Sequence, residues 1–280
     1  MRILLHYISQ FAKSRMIYRG DFFADFSSFL TGIFAQLFYL YILFSNAGNK
    51  FGNDWSVEQV MFIWGMALVP NGLFNVVSPS LFSFPEKHIN QGNFDRLLLR
   101  PLPALPQVFM ENFRFSALIE CVTGVVMMTL AGSQNATFLK FLGVTHSNFH
   151  WTWTLEHLLS FGLFAFCGAT IIISIFIAVI SISFFSQDRL GVGAPIWNMM
   201  SFGRWPLAIF PSTIQFILIW VFPFACVGFL PATVLMDINV ANDYLPLPAA
   251  AFIPLITLLM ASIATTLWKF GIRNYTSVGA

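Results

Sequence analysis

Three charged residues, Glu111, Arg114 and Glu120, fall within an otherwise apolar stretch running from Val108 to Leu130. An ionisable group in such a setting is expensive and marks an ion path, a substrate contact or polar glue between helices. Glu111 and Arg114 are three residues apart and would pair on one helix face. Glu120 would lie about 14 Å further along the same helix at 1.5 Å per residue, near the middle of a bilayer. Two readings of it stand. It faces a transport cavity or bundle interior, protonated or bonded to a Ser, Thr or Asn of another helix, or it is structural glue. The other reactive residue types give less. His146, His150 and His157 share one loop at spacings poor for a metal, and no metal site is expected. Cys121, Cys167 and Cys226 each lie inside an apolar run without a CxxC pair, and read as small packing residues. Neither GxSxG nor HExxH occurs, and no set of nucleophile, base and oxyanion donor stands out. The chain has no Gly-Lys dipeptide and hence no Walker A loop, and Gly191-Val192-Gly193 lacks the third glycine of a dinucleotide fingerprint. The sequence thus carries no catalytic site, and energy from ATP must come through another polypeptide.

The elements that hold these residues are set by composition. Of 280 residues 57% are hydrophobic and 9% charged, with a mean hydropathy of +0.74. A soluble surface calls for about 25% charged residues, so lipid is the solvent that suits this chain. The net charge of +2 gives no reason to expect a nucleic-acid partner. Apolar stretches of span length occur near 26–44, 57–77, 108–130, 158–184, 213–230 and 249–268. Pro70 and Pro223 lie inside spans, where neighbouring helices satisfy the freed carbonyls. Leu190–Phe202 is short, carries Gly191, Gly193 and Pro195, and precedes Arg204. Counting it as a seventh span would put Arg204, Lys269 and Arg273 on the outer side. Six spans with cytosolic termini leave only Lys50 and Lys140 there, which satisfies the positive-inside rule. Leu190–Phe202 is then an interfacial or re-entrant helix on the inner face.

Residues 1–20 place Leu4, Leu5, Ile8 and Phe11 at helical spacing beside Lys13, Arg15 and Arg19. That is the pattern of an amphipathic helix in the inner interface, or of a first span that extends inward. The fold class expected is all-α: one polytopic membrane domain over residues 1–280, with six transmembrane helices and an N-terminal interfacial helix. No internal repeat is visible, which counts against inverted-repeat secondary transporters.

The connection between the second and third spans is the most informative segment. Pro85 starts a short helix and Gly92 ends it, in Pro85-Glu86-Lys87-His88-Ile89-Asn90-Gln91-Gly92. Ile89 and Phe94 would then be available to dock elsewhere, unless the segment is a plain solvated loop. Gly92-Asn93-Phe94-Asp95, then Leu97-Leu98-Leu99-Arg100-Pro101 and Gln107, resembles a stretch typical of ABC-2 family permeases. Tyr18-Arg19, Arg204-Trp205-Pro206 through Leu230-Pro231-Ala232, and Trp268-Lys269-Phe270-Gly271 with Tyr275 resemble further parts of that family, in the same order.

The resemblance implies a six-span permease subunit in the plasma or inner membrane. It would pair with a second, identical or similar permease and with two ABC ATPase subunits, which would hold the ATP and Mg that this chain does not bind. Membrane lipids would surround it. The segment 85–96 would be a cytosolic coupling helix seated in the ATPase, with Glu86, Lys87, Ile89, Asn90, Gly92, Phe94, Asp95 and Arg96 as its contact residues. The expected activity is export or lipid-leaflet transfer of an amphipathic substrate. A self-contained channel or secondary transporter, drawing on Glu111, Arg114 and Glu120 as an ion path, is the alternative.

Overall fold

Ser56-Val57-Glu58-Gln59 is a helix start signal, because a serine hydroxyl and a glutamine three residues on can satisfy each other's backbone. In the computed structural model Ser56 Oγ accepts from the Gln59 N–H at 3.3 Å and Gln59 Oε1 accepts from the Ser56 N–H at 3.0 Å. The structure describes residues 19–47, 50–51, 55–133, 149–185, 193–239 and 244–276. The chain opens with α1 (Arg19–Ala47), a two-stranded ribbon of Lys50–Phe51 and Trp55–Ser56, and α2 (Val57–Val77). A connection follows through α3 (Pro79–Phe84), a wide helical turn over Pro85–Asn90, α4 (Phe94–Leu98) and α5 (Ala104–Met110). Next come α6 (Leu118–Gly132), entered through a tight turn at Phe115–Ala117, and α7 (Leu155–Ser181). The second half holds α8 (Gly193–Met200), α9 (Ser212–Phe216), α10 (Phe229–Leu235) and α11 (Ala249–Arg273). Of the expected interfacial helix over 1–20, residues 1–18 lie outside the described residues, and Arg19 and Gly20 form the first turn of α1. His146 also lies outside them.

Among the described residues, five helical stretches are long and apolar enough to cross a membrane: Phe26–Leu43, Val57–Val77, Phe115–Gly132, Leu155–Phe184 and Ala249–Arg273. A sixth passage, if one span, is a bent pair, Ser212–Val221 and Phe224–Leu235, at 71° to each other. At 1.5 Å per residue the halves rise about 15 Å and 18 Å, so only together do they match a hydrocarbon core of about 30 Å. The break falls at Phe222-Pro223, where proline has no N–H to continue the ladder.

A helix apolar on every side belongs in the middle of a bundle, and α2 is that helix, with 78% of its span buried against 11% for α1. Its closest neighbour is α6. A Cβ added at Gly65 would sit 2.7 Å from the Gly124 carbonyl oxygen, and one at Gly124 would sit 2.5 Å from that of Gly65. Two glycines therefore let the backbones touch. Without a hydrophobic force between helices in lipid, such close packing is a main source of cohesion.

The third crossing departs from the sequence expectation. It begins at Phe115, not Val108, because Arg114 has non-helical backbone angles (φ −112°, ψ 82°) and donates its N–H to the Val76 carbonyl at 3.1 Å. Glu111 and Arg114 consequently do not share a helix. Of Leu190–Phe202, read as an interfacial or re-entrant helix, residues 190–192 lie outside the described residues, and α8 leaves Ala194, Pro195, Trp197 and Asn198 exposed. Ile196 and Met200 of α8 are buried, and a Cβ at Gly203 would collide with the Phe224 backbone.

Candidate functional site

The α2–α6 connection is held down by an aromatic cluster. Phe94 packs edge-on against Tyr275 at 5.0 Å and Phe84 at 5.8 Å, and it lies 5.1 Å from Phe184 and 6.3 Å from Trp268. Phe84 in turn meets Trp268 at 5.3 Å. Edge-to-face pairs at such separations add to the burial of large rings. Phe94 is 0% exposed and Ile89 3%. This corrects the expectation that both are free anchors, because the ends of α7 and α11 already fill that role. The signal was present in Phe184, Trp268 and Tyr275, but nothing local in the sequence brings them to Phe94.

A polar clamp closes the same connection. Glu111 Oε2 accepts from Lys87 Nζ at 2.8 Å and lies 3.0 Å from Nε2 of the buried His88. Burial acts to raise the Glu111 pKa, but the hydrogen bonds and charges of His88 and Lys87 together hold it below its usual value. Glu111 thus bridges back to the loop, a partnership that three-residue spacing with Arg114 did not reveal. Gln107 donates to the carbonyls of Leu97 at 3.0 Å and Leu102 at 2.8 Å, which fixes the turn between α4 and α5. Gly92 has φ +68°, a conformation that side chains resist, and it lets the chain turn from the Pro85–Asn90 segment into α4. Asn93 caps that turn by donating to the Lys87 carbonyl at 2.8 Å. Burial and the adjacent Asp95 carboxylate push the Tyr275 phenol above its usual range. With Ile89 and Phe94 inside, the exposed residues of the connection include Glu86, Lys87, Gln91, Arg96, Leu98 and Leu99, continuing into residues 100–103, and Leu99 is 86% exposed.

The second constellation is a cavity of about 270 Å³ between α1, α2, α6 and α8. Gln36 of α1, Asn71 and Asn75 of α2, Glu120 of α6 and Arg204 beyond α8 line it. Asn75 Nδ2 donates to both Glu120 carboxylate oxygens at 3.1 Å, and Arg204 Nη1 donates to Gln36 Oε1 at 3.4 Å. The Asn71 Oδ1 and Arg204 Nε atoms are buried without a hydrogen-bond partner. Because the crossing starts at Phe115, Glu120 sits about 8 Å from that helix end, in the half of the helix nearer the α2–α6 connection. Arg114 lies apart from Glu111, its guanidinium 5.0 Å from the centre of the Phe29 ring. The bond from Asn75 to Glu120 is of the kind expected, an Asn of another helix, although the sequence reading did not single out Asn71, Asn75 or Gln36 or bring Arg204 here. Asn71 and Asn75 are four apart on one face of an apolar helix, which was the available signal. Arg204 had none, since its position depends on how α8 enters the bundle.

Helices of this length and hydropathy, packed through glycines, define an all-α polytopic membrane protein. The ABC-2 family transporter protein family matches residues 30–279, and the chain belongs to that family. It is therefore a membrane component of an ABC transporter. Comparison with curated proteins and with solved structures gave no match.

Proposed function

We propose that this chain is the permease subunit of an ATP-driven exporter or lipid-leaflet translocator, with its α2–α6 connection as the element that receives the ATPase stroke. The observation that carries the reading is the anchoring of that connection. Phe94 and Phe84 tie it to Phe184 and Trp268, at the ends of α7 and α11, while Glu111 ties it to the start of the third crossing. A push on the loop is then delivered to three membrane helices at once, as a coupling element requires. For ATP to drive transport, the ATPase must hold this loop differently in its nucleotide-bound and nucleotide-free states, since equal affinity for two states shifts nothing.

The contact face in this reading is Glu86, Lys87, Gln91 and Arg96, with Leu98 and Leu99 as the apolar anchors. Asn90 and Asp95 are partly buried, and Gly92 acts through its backbone. Cytosolic termini and a second permease complete the assembly. Six crossings fit this arrangement, because they return Lys269 and Arg273 to the side of Arg19, as the positive-inside rule requires. The test is co-purification of the ATPase with Leu99→Ala and Arg96→Glu variants, alongside ATP turnover in lipid. A central anchor removed should weaken association by about 2 kcal/mol. Full association and turnover in the Leu98→Ala, Leu99→Ala, Arg96→Glu triple variant would remove this face as the docking site.

A further inference from the structure

We propose that the cavity between α1, α2, α6 and α8 is a binding site for a small zwitterionic group, with its ammonium toward Glu120 and its anion toward Arg204. The site goes beyond the coupling reading and does not depend on it.

Glu120 and Arg204 line one cavity of about 270 Å³ from two different elements. Asn75 donates to both carboxylate oxygens of Glu120, which is the pattern of an ionised acceptor, and Arg204 donates to Gln36. Neither charged group bonds the other, although the field of Arg204 reaches Glu120. Asn71 and Arg204 line this space, and each also has a polar atom buried without a partner, Asn71 Oδ1 and Arg204 Nε. Two opposite charges that line one cavity without joining leave room for an occupant that meets both.

The chemistry of that occupant follows from the lining. A ligand of net charge would leave Glu120 or Arg204 without a counter-charge in a low-dielectric site, where an unpaired charge is costly. A neutral polyol would offer each ion only a dipole. A zwitterion gives each its opposite charge and adds no net charge to the site. The volume falls just below the roughly 300–1,000 Å³ of drug-sized pockets, which suits a headgroup or an amino-acid-sized solute.

One wall is α1, whose span is only 11% buried, and Gly32 is part of that wall: nothing lies within 4 Å of an added Cβ there. Gly32→Leu therefore adds bulk to the lining without a collision at Cβ and without removing either charge.

The test is lipid retention by the purified protein from nanodiscs holding equal phosphatidylethanolamine, phosphatidylglycerol and monoglucosyl-diacylglycerol, read by native mass spectrometry. The wild type should retain the ethanolamine lipid over the other two by about tenfold, one decade in the affinity scale. Gly32→Leu and Glu120→Gln should both erase the preference, and Gly32→Leu should keep the wild-type melting temperature. Displacement by free glycerophosphoethanolamine, whose phosphodiester keeps the net charge at zero, assigns the zwitterion to a soluble source, and its failure to displace assigns it to lipid. Both outcomes uphold the site. Equal retention of the glucosyl or glycerol lipid would overturn the zwitterion, and an unchanged preference in Gly32→Leu would overturn the site itself. Retention needs no ATPase, so failure of the coupling face is read separately.

Discussion

Glu111 holds Lys87 and His88 with a single carboxylate oxygen, and its depressed pKa fixes how the clamp answers pH. A carboxyl depressed in the folded state contributes stability in full above its unfolded value, near the usual 4.5, and loses it as pH falls through the folded value. The melting temperature of Glu111→Gln should thus lie below wild type at neutral pH, with the gap closing only below about pH 4.5. Lys87 is half exposed and contributes little, whereas losing the partner of the buried His88 costs about 1–3 kcal/mol. A gap unchanged at pH 3.5 would show that the carboxylate does not set the stability. Phe94→Ala, which on sequence grounds alone would spare folding, should instead destabilise by about 3–5 kcal/mol, as for other fully buried rings. Thermal unfolding in detergent checks this, and a wild-type midpoint would mean that the ring cluster is not formed.

Among the elements, α2 and α6 form the tightest pair, and their crossing is set by Gly65 and Gly124. Cβ positions 2.5–2.7 Å from a facing carbonyl cannot be relieved by rotating a side chain, because the obstacle is backbone. Gly124→Leu should push α6 off α2, widen the gap beside Glu120 and lower both folded yield and melting temperature. Gly162→Leu is the control, since nothing lies within 4 Å of a Cβ there and α7 is exposed at that point. Equal yields for the two variants would argue against close contact. The broken fifth passage is an element of another kind. Pro223 forbids a continuous helix, and the resulting 71° bend leaves room for Gly203 against Phe224, so that Arg204 reaches the cavity.

The whole molecule turns on topology. With six crossings, cysteines introduced at exposed Leu99 and at exposed Leu247 face opposite sides of the membrane. In a variant without the native Cys121, Cys167 and Cys226, an impermeant maleimide added to intact cells should label Leu247→Cys at once, and Leu99→Cys only after permeabilisation. Labelling of neither from outside would reduce the bent pair to a re-entrant loop, and labelling of Leu99→Cys but not Leu247→Cys would invert the protein.

What the sequence determined by itself is what solvent and local chain chemistry dictate. A charge content of 9% makes lipid the surrounding medium, and the apolar runs make the helices. Ser56 and Gln59 mark one helix start, Gly92 marks the turn of the connection, and an ordered set of motifs pointed to the ABC-2 family. What only the tertiary structure decided are the partnerships across large sequence separations. Phe94 meets Tyr275, Glu111 meets His88, and Arg204 enters a cavity shared with Gln36 and Glu120. Hydropathy is nearly uniform along each span and does not say which face is buried. In a chain this apolar, Ile89 and Phe94 look as free to dock outward as inward. The choice belongs to packing, because rings from α7 and α11 reach Phe94 only after the helices have assembled, and close glycine contacts set where each helix lies.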